Sequence, residues 1–267
     1  ITLLGEAEVS HEAKTPYVDA GVVASDSLDG NLIDNVVIAS TVNPDTLGNY
    51  TVTYRVSDAA GNAASPVIRM VKVEDTVAPV ITLFGDETVS HEVMTSYVDA
   101  GVSASDSLDG DLTGSVVSTS TVKPGVMGNY AVIYNVSDAA GNAAMEVLRG
   151  VNVVDTTPPR LSLLGDARVN IAEGAAFSDF GVQAMDTVDG DLSDQVVITL
   201  PEDMSRPGIY TVRYRVADFQ GNTAELTRTV EVLDRTAPEI TILGSESVLH
   251  EAGHPYEDAG ASVDDNV

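Results

Sequence analysis

A period of 80 residues runs through this chain and limits what it can fold into more than any other feature. Ile81-Thr-Leu-Phe-Gly85 repeats Ile1-Thr-Leu-Leu-Gly5, and Tyr97-Val-Asp-Ala-Gly101 repeats Tyr17-Val-Asp-Ala-Gly21. Phe177-Ser-Asp-Phe-Gly181 and Tyr256-Glu-Asp-Ala-Gly260 carry the same segment on. A unit of this length exceeds solenoid repeats and suits a small domain that folds by itself. The expected organisation is three whole domains, at 1–78, 79–158 and 159–237, and the opening part of a fourth at 238–267. Beginning on a repeat boundary without Met and stopping inside a copy, the chain reads as a piece of a longer array.

The clearest element of each copy is a strand. Tyr50, Val52, Tyr54 and Val56 alternate with Thr51, Thr53 and Arg55. Tyr130, Val132, Tyr134 and Val136 repeat the pattern, as do Tyr210, Val212, Tyr214 and Val216. A period of two places these four side chains on one face and the polar ones on the other, the mark of a half-buried strand. Each strand runs into Asp-x-x-Gly-Asn (Asp58–Asn62, Asp138–Asn142, Asp218–Asn222), a reversal in which Gly supplies positive φ.

The rest of a copy has no helical periodicity. In the first it is a short strand at Ile1–Leu4, an extended Val9-Ser-His-Glu12, a strand over Tyr17–Ala24 and an acidic loop from Asp26 to Asn31. Then come a Val-rich strand at Val36–Ile38, a Gly48-Asn-Tyr50 corner, a last strand at Ile68–Val73 and a linker, Asp75-Thr-Val-Ala-Pro79. About seven short strands with Gly and Asn turns predict an all-β antiparallel sandwich, and Gly-x-Tyr before the penultimate strand predicts a tyrosine corner. The combination Asp-x-x-Asp-Gly-[Asp/Asn]-Leu, Gly-x-Tyr-x-Val-x-Tyr-x-Val-x-Asp-x-x-Gly-Asn and Asp-Thr-x-x-Pro resembles bacterial immunoglobulin-like repeats. Such repeats occur in tandem on surface proteins, large adhesins and secreted hydrolases. The resemblance implies tandem immunoglobulin-like β-sandwiches in an elongated array, without catalysis of their own.

Composition narrows the partners. There is no Cys, so no disulfide staples the domains, and no apolar run is long enough to span a membrane. The net charge of −28 is spread evenly: 4 basic against 11 acidic residues in 1–80, 3 against 10 in 81–160, 6 against 14 in 161–239 and 0 against 6 in 240–267. An acidic surface on every copy argues against nucleic acid and membrane insertion and favours divalent cations. Absence of Cys, acidity and tandem repetition together point to an extracellular protein at a bacterial cell surface.

The carboxylates recur in register. In an immunoglobulin-like sandwich the loop after the second strand and the loop before the last lie at one end, where the incoming linker also arrives. Asp75, Asp106, Asp109, Asp138 and Asn142 are thus expected to converge at the first boundary, and Asp155, Asp186, Asp189, Asp218 and Asn222 at the second. The third retains only Asp234 and Asp265, and Asp26, Asp29 and Asp58 form half a site at the start of the chain. Hard oxygen ligands without Cys, and without His in register, suit Ca²⁺, which takes six to eight oxygens in flexible geometry. Asp and Asn also form turns by bonding their own backbone, which is the competing reading. The loop lacks the spacing and closing Glu of an EF-hand.

His11, His91 and His250 share a register, each followed by Glu (Glu12, Glu92, Glu251). Ile171 and Ala172 stand there in the third copy, so the His reads as a half-buried strand residue, while Glu12 and Glu92 lie within reach of the boundary cations. No catalytic constellation emerges. The third copy has no Lys, which excludes a general Lys–Asn cross-link. The function expected is a structural spacer or stalk of an extracellular bacterial surface protein or adhesin, stiffened by calcium at domain junctions. The alternative is an accessory module of a secreted enzyme or adhesin that binds a polysaccharide or a cell-surface receptor. Self-association through strand edges left open by the partial fourth copy is a further expectation.

Overall fold

The computed structural model describes residues 1–265. The second repeat shows the architecture most fully. Its seven strands are Val80–Leu83, Thr88–Glu92, Val102–Asp106, Gly110–Asp111, Val117–Ser120, Gly128–Asn135 and Val147–Val154. The first, third and fourth form a three-stranded sheet centred on Val102–Asp106. The others form a four-stranded sheet in the order Thr88–Glu92, Val147–Val154, Gly128–Asn135, Val117–Ser120. The third repeat has the same two sheets, and the first differs only in a break at Ala24. The described part of the fourth copy is one strand pair, Glu239–Ile242 with Ala261–Asp264. The chain divides into two compact units, one of Ile1–His91 with Thr95–Val153, the other of Glu92–Met94 with the chain from Val154 onward.

The alternating strands behave as their period demands. Val52 and Tyr54 are buried and pack with Val71 and Val73 against Val22 of the opposite sheet. Val212, Tyr214 and Val230 pack with Val182 in the same way in the third repeat. The tyrosine corners form: the hydroxyls of Tyr50, Tyr130 and Tyr210 donate to the carbonyls of Thr46, Val126 and Arg206 at 2.8, 2.9 and 2.8 Å. Gly48 permits this turn, because its φ is 155°, a conformation that residues with a side chain rarely adopt.

Two features depart from expectation. The Tyr17–Ala24 stretch is extended only from Val22 onward. The Asp19 carboxylate turns back to accept the Gly21 N–H at 2.9 Å, and Gly21 has φ of 80°, so a side-chain-closed turn replaces the first half of the strand. The second extended piece, Glu8–Glu12, pairs parallel with Val67–Glu74 and sets Glu12 opposite Glu74. The chain therefore crosses from one sheet to the other between Leu3 and Glu8, and the residue before Asp75 lies beside Glu12.

The least expected core residue is an arginine. Arg69, Arg149 and Arg228 are in phase with the inward valines of the last strand and are only 1, 1 and 0% exposed. In the second repeat Arg149 donates to the Asp99 carboxylate at 2.8 Å, to the Asp86 carbonyl at 3.1 Å and to the carbonyls of Phe84 and Gly101. Asp99 also accepts from the hydroxyls of Tyr97 and Tyr134 and from the Gly101 N–H. Burial works against the Asp99 charge, yet these donors hold its carboxyl below the usual value. Asp19 and Arg69 repeat the arrangement. In the third repeat Phe177 replaces the first tyrosine, and Asp179 Oδ2 is buried without a hydrogen-bond partner.

Candidate metal centres at the repeat boundaries

Three stretches build each centre, and one aspartate in each uses an oxygen to shape its own backbone. Asp75 Oδ1 accepts the Val77 N–H at 3.3 Å and so turns the linker. Asp106 Oδ1 accepts the N–H groups of Leu108 and Asp109 at 2.7 and 3.0 Å, closing the acidic loop. Asp138 Oδ1 accepts the Asn142 N–H at 2.7 Å, closing the Asp-x-x-Gly-Asn turn. Asp109 Oδ2 then reaches across to the Ala139 N–H at 2.7 Å and joins the two loops. Asn142 joins through its amide nitrogen, which donates to Asp138 Oδ2 at 2.8 Å and to the linker carbonyl of Asp75 at 3.1 Å.

Turn chemistry leaves some of the second oxygens over, and the carboxylates gather. Carboxylate oxygens of Asp75, Asp109 and Asp138 lie within 4.8 Å of one another, and so do those of Asp155, Asp186 and Asp189. Asp75 and Asp155 are 7 and 6% exposed, and Oδ2 of each is buried with no hydrogen-bond partner. Asp106 Oδ2 is buried and unpartnered as well. Burial pushes the Asp75 carboxyl above the ordinary carboxylate value, and repulsion from Asp106, Asp138 and Glu12 adds to the shift. Asp155 is raised likewise by burial, Asp186, Asp218 and Glu92. Burial also opposes the charge of Asp138, but the donors of Asn142 outweigh it and lower that carboxyl. Buried, unpaired, mutually repelling carboxylates are costly to hold together without a counter-charge.

The second centre repeats the hydrogen bonds of the first, but the carboxylates gathered there are Asp155, Asp186 and Asp189, so the counterpart of Asp106 takes the place of the counterpart of Asp138. Asp186 Oδ1 accepts from Val188 and Asp189, Asp189 Oδ2 from Phe219, Asp218 Oδ1 from Asn222, and the Asn222 amide bonds Asp218 and the Asp155 carbonyl. Asp26, Asp29 and Asp58 make the same turns and the same cross-loop bond, Ala59 N–H to Asp29 Oδ2 at 3.0 Å. Asp58 is half-buried where Asp138 and Asp218 are buried. Leu28 in that loop is 91% exposed, whereas its counterpart Leu108 packs against the core of the preceding repeat. At the third boundary Asp234 and Asp265 are both exposed.

The histidines stay out of these centres. His11 bonds the Thr15 carbonyl at 2.9 Å and meets Tyr17 edge-on at 5.1 Å, and His91 and His250 do the same with their tyrosines. Glu12 and Glu92 touch the linkers instead: Glu12 accepts from the backbone and hydroxyl of Thr76, and Glu92 from those of Thr156 and the hydroxyl of Thr157. Among the described residues no helix is long and apolar enough to cross a membrane.

Tandem immunoglobulin-like sandwiches with an acidic seam after each linker define the class. The chain belongs to the family of bacterial surface protein Ig-like domains, which it matches over residues 1–73, 81–153 and 161–232. It is 30% identical over 247 residues to an uncharacterized 81.3 kDa protein of Acholeplasma phage L2, covering 88% of this chain and 33% of that protein. It is 28% identical to pesticidal crystal protein Cry22Aa of Bacillus thuringiensis (91% of this chain, 34% of that one) and 30% identical to hyalin of Strongylocentrotus purpuratus (89% and 21%). The chain thus spans about a third or less of these relatives.

Proposed function

We propose that this chain is a non-catalytic spacer of an extracellular bacterial surface protein, in which Ca²⁺ ties each linker to the repeat that follows it. The observation that carries the calcium reading is the buried, unpartnered Oδ2 of Asp75 and of Asp155, each gathered with carboxylates of the next repeat. Turn formation accounts for one oxygen of Asp75, Asp106 and Asp155 and leaves Oδ2 of each without a hydrogen-bond partner. A hard cation that accepts six to eight oxygens at variable angles fits such a donor set better than Zn²⁺, which prefers Cys and His, or Mg²⁺, which demands near-ideal octahedral geometry. Membership of a surface-protein family supports the location and the spacer role.

The test is a thermal melt in calcium and in chelator, paired with small-angle scattering. A ligand that binds only the folded state stabilises it by about 2.7 kcal/mol at a hundredfold excess over Kd. The expected result is a higher melting temperature in calcium together with a longer, stiffer particle. Identical melts and scattering curves in the two buffers would sink the calcium reading.

A further inference from the structure

Glu12 and Glu92 are where the boundary centres meet the preceding repeat, and the topology explains why. The parallel pairing of Glu8–Glu12 with Val67–Glu74 brings Glu12 to the point where the last strand becomes linker, and the Val93 N–H, which donates to the Val154 carbonyl at 2.8 Å, does so for Glu92. The carboxylates are spent on linker donors. Glu92 accepts from the Thr156 N–H at 3.1 Å, the Thr156 hydroxyl at 2.6 Å and the Thr157 hydroxyl at 2.7 Å. Glu12 takes the N–H and hydroxyl of Thr76 in the same way. The residue just before each threonine is the linker aspartate with the unpartnered oxygen.

The third repeat is an internal comparison. Ala172 stands where Glu12 and Glu92 stand, and Arg235 stands where Thr76 and Thr156 stand, so acceptor and donor are replaced together. Ala172 still pairs with the last strand, opposite Leu233, and Asp234 still turns its own linker by accepting the Thr236 N–H at 2.9 Å. The strand pairing and the linker turn therefore do not require the glutamate. What is missing at Asp234 is the second anchor, and a cation, Arg235, sits beside it.

On these grounds, and resting on the calcium reading above, we infer that Glu12 and Glu92 are positioning residues for the boundary cation: each clamps the linker threonine so that the adjacent aspartate faces the carboxylates of the next repeat.

The test is calcium titration calorimetry on the whole chain, with the melting temperature in chelator as a second readout. Thr156→Val/Thr157→Val removes two clamp hydrogen bonds without altering any charge. Two net hydrogen bonds correspond to a loss of about tenfold or more in affinity. The expected result is two strong calcium sites in the wild-type chain, one of them weakened at least tenfold in this variant and in Glu92→Ala, at an unchanged melting temperature in chelator. A merely structural role would lower that temperature and leave affinity alone. Wild-type affinity in both variants would overturn the clamp while leaving the calcium reading intact. A wild-type chain that binds no calcium would overturn both.

Discussion

Replacing Arg149 by Met should unfold the second repeat far more readily than any surface change. The substitution keeps a long apolar stem but removes the donors to Asp99 and to the carbonyls of Phe84, Asp86 and Gly101. Gly101 O keeps a partner in the Phe84 N–H, so the loss falls on Asp99 and on the other two carbonyls. Removing one partner of a buried ion pair costs about 3–5 kcal/mol. The Asp99 side chain is 23% exposed and retains two tyrosine hydroxyls, which argues for the lower end, about 3 kcal/mol. A domain of this size has roughly 4–12 kcal/mol in total, so the variant forfeits a quarter or more of it. Hydrogen exchange in the Gly128–Asn135 and Val147–Val154 strands reads this repeat directly, because those amides open only when its four-stranded sheet does. Arg149→Lys should cost about half as much, since it keeps the charge but not the fork that reaches several acceptors. Adding Asp99→Asn to Arg149→Met should recover about 1–2 kcal/mol by removing the uncompensated carboxylate. A loss below 1 kcal/mol in Arg149→Met, or a further full loss on adding Asp99→Asn, would refute the view that this pair anchors the core.

Asp75→Asn should change sign with calcium. In chelator it removes a buried like charge and stabilises the first boundary by something on the order of 1 kcal/mol, whereas in calcium it abolishes the gain at that boundary; paired melts measure both. The same group sets a pH dependence. The folded-state carboxyls of Asp75 and Asp155 are raised, so their stabilising contribution is present at low pH and is lost as pH rises through the folded value. Stability in chelator should therefore increase as pH falls from neutrality toward the ordinary carboxylate value of 3.8. Asp19 and Asp99 are lowered and oppose this only below that value, where their contribution is lost on acidification. Phe177→Tyr should restore to the third repeat the hydroxyl that Tyr97 gives Asp99, satisfying Asp179 Oδ2 and adding about 1 kcal/mol in urea unfolding; an unchanged midpoint would show that the oxygen is satisfied in solution.

The sandwich was legible because its strands are marked twice, by a period-two pattern and by turns of fixed chemistry. Tyr50, Val52, Tyr54 and Val56 need one face in a core, and Asp58 to Asn62 can hardly be anything but a reversal. The stretch from Tyr17 to Gly21 misled for a related reason. Its residues suit a strand, but Asp19 has a closer donor in the Gly21 N–H than any neighbouring strand offers, and local bonding wins. The parallel Glu8–Glu12 pairing carries no such mark, since a short edge strand reads alike in either direction. The buried arginines were visible in principle. Arg69, Arg149 and Arg228 fall in phase with Val71, Val151 and Val230, and a charged residue at an inward position requires a partner, which Asp19, Asp99 and Asp179 supply at spacings of 50, 50 and 49 residues.

At the boundaries, register led to the expectation that Asp75, Asp106, Asp109, Asp138 and Asn142 converge; the carboxylates of Asp75, Asp109 and Asp138 lie together, and Asn142 turns its amide nitrogen to Asp138 and the linker. The opposition between turn former and ligand was not settled by residue type, and the geometry shows why it need not be. A carboxylate has two oxygens. One closes a turn of two or three residues, which only local spacing governs, and the other is left pointing where the fold sends it. Repeat one closes its loops with the same bonds, with Asp58 half-buried and Leu28 exposed. The local code thus makes the loops, and tandem repetition makes the centre. A single isolated repeat should accordingly keep every turn and lose the clustered, desolvated carboxylates.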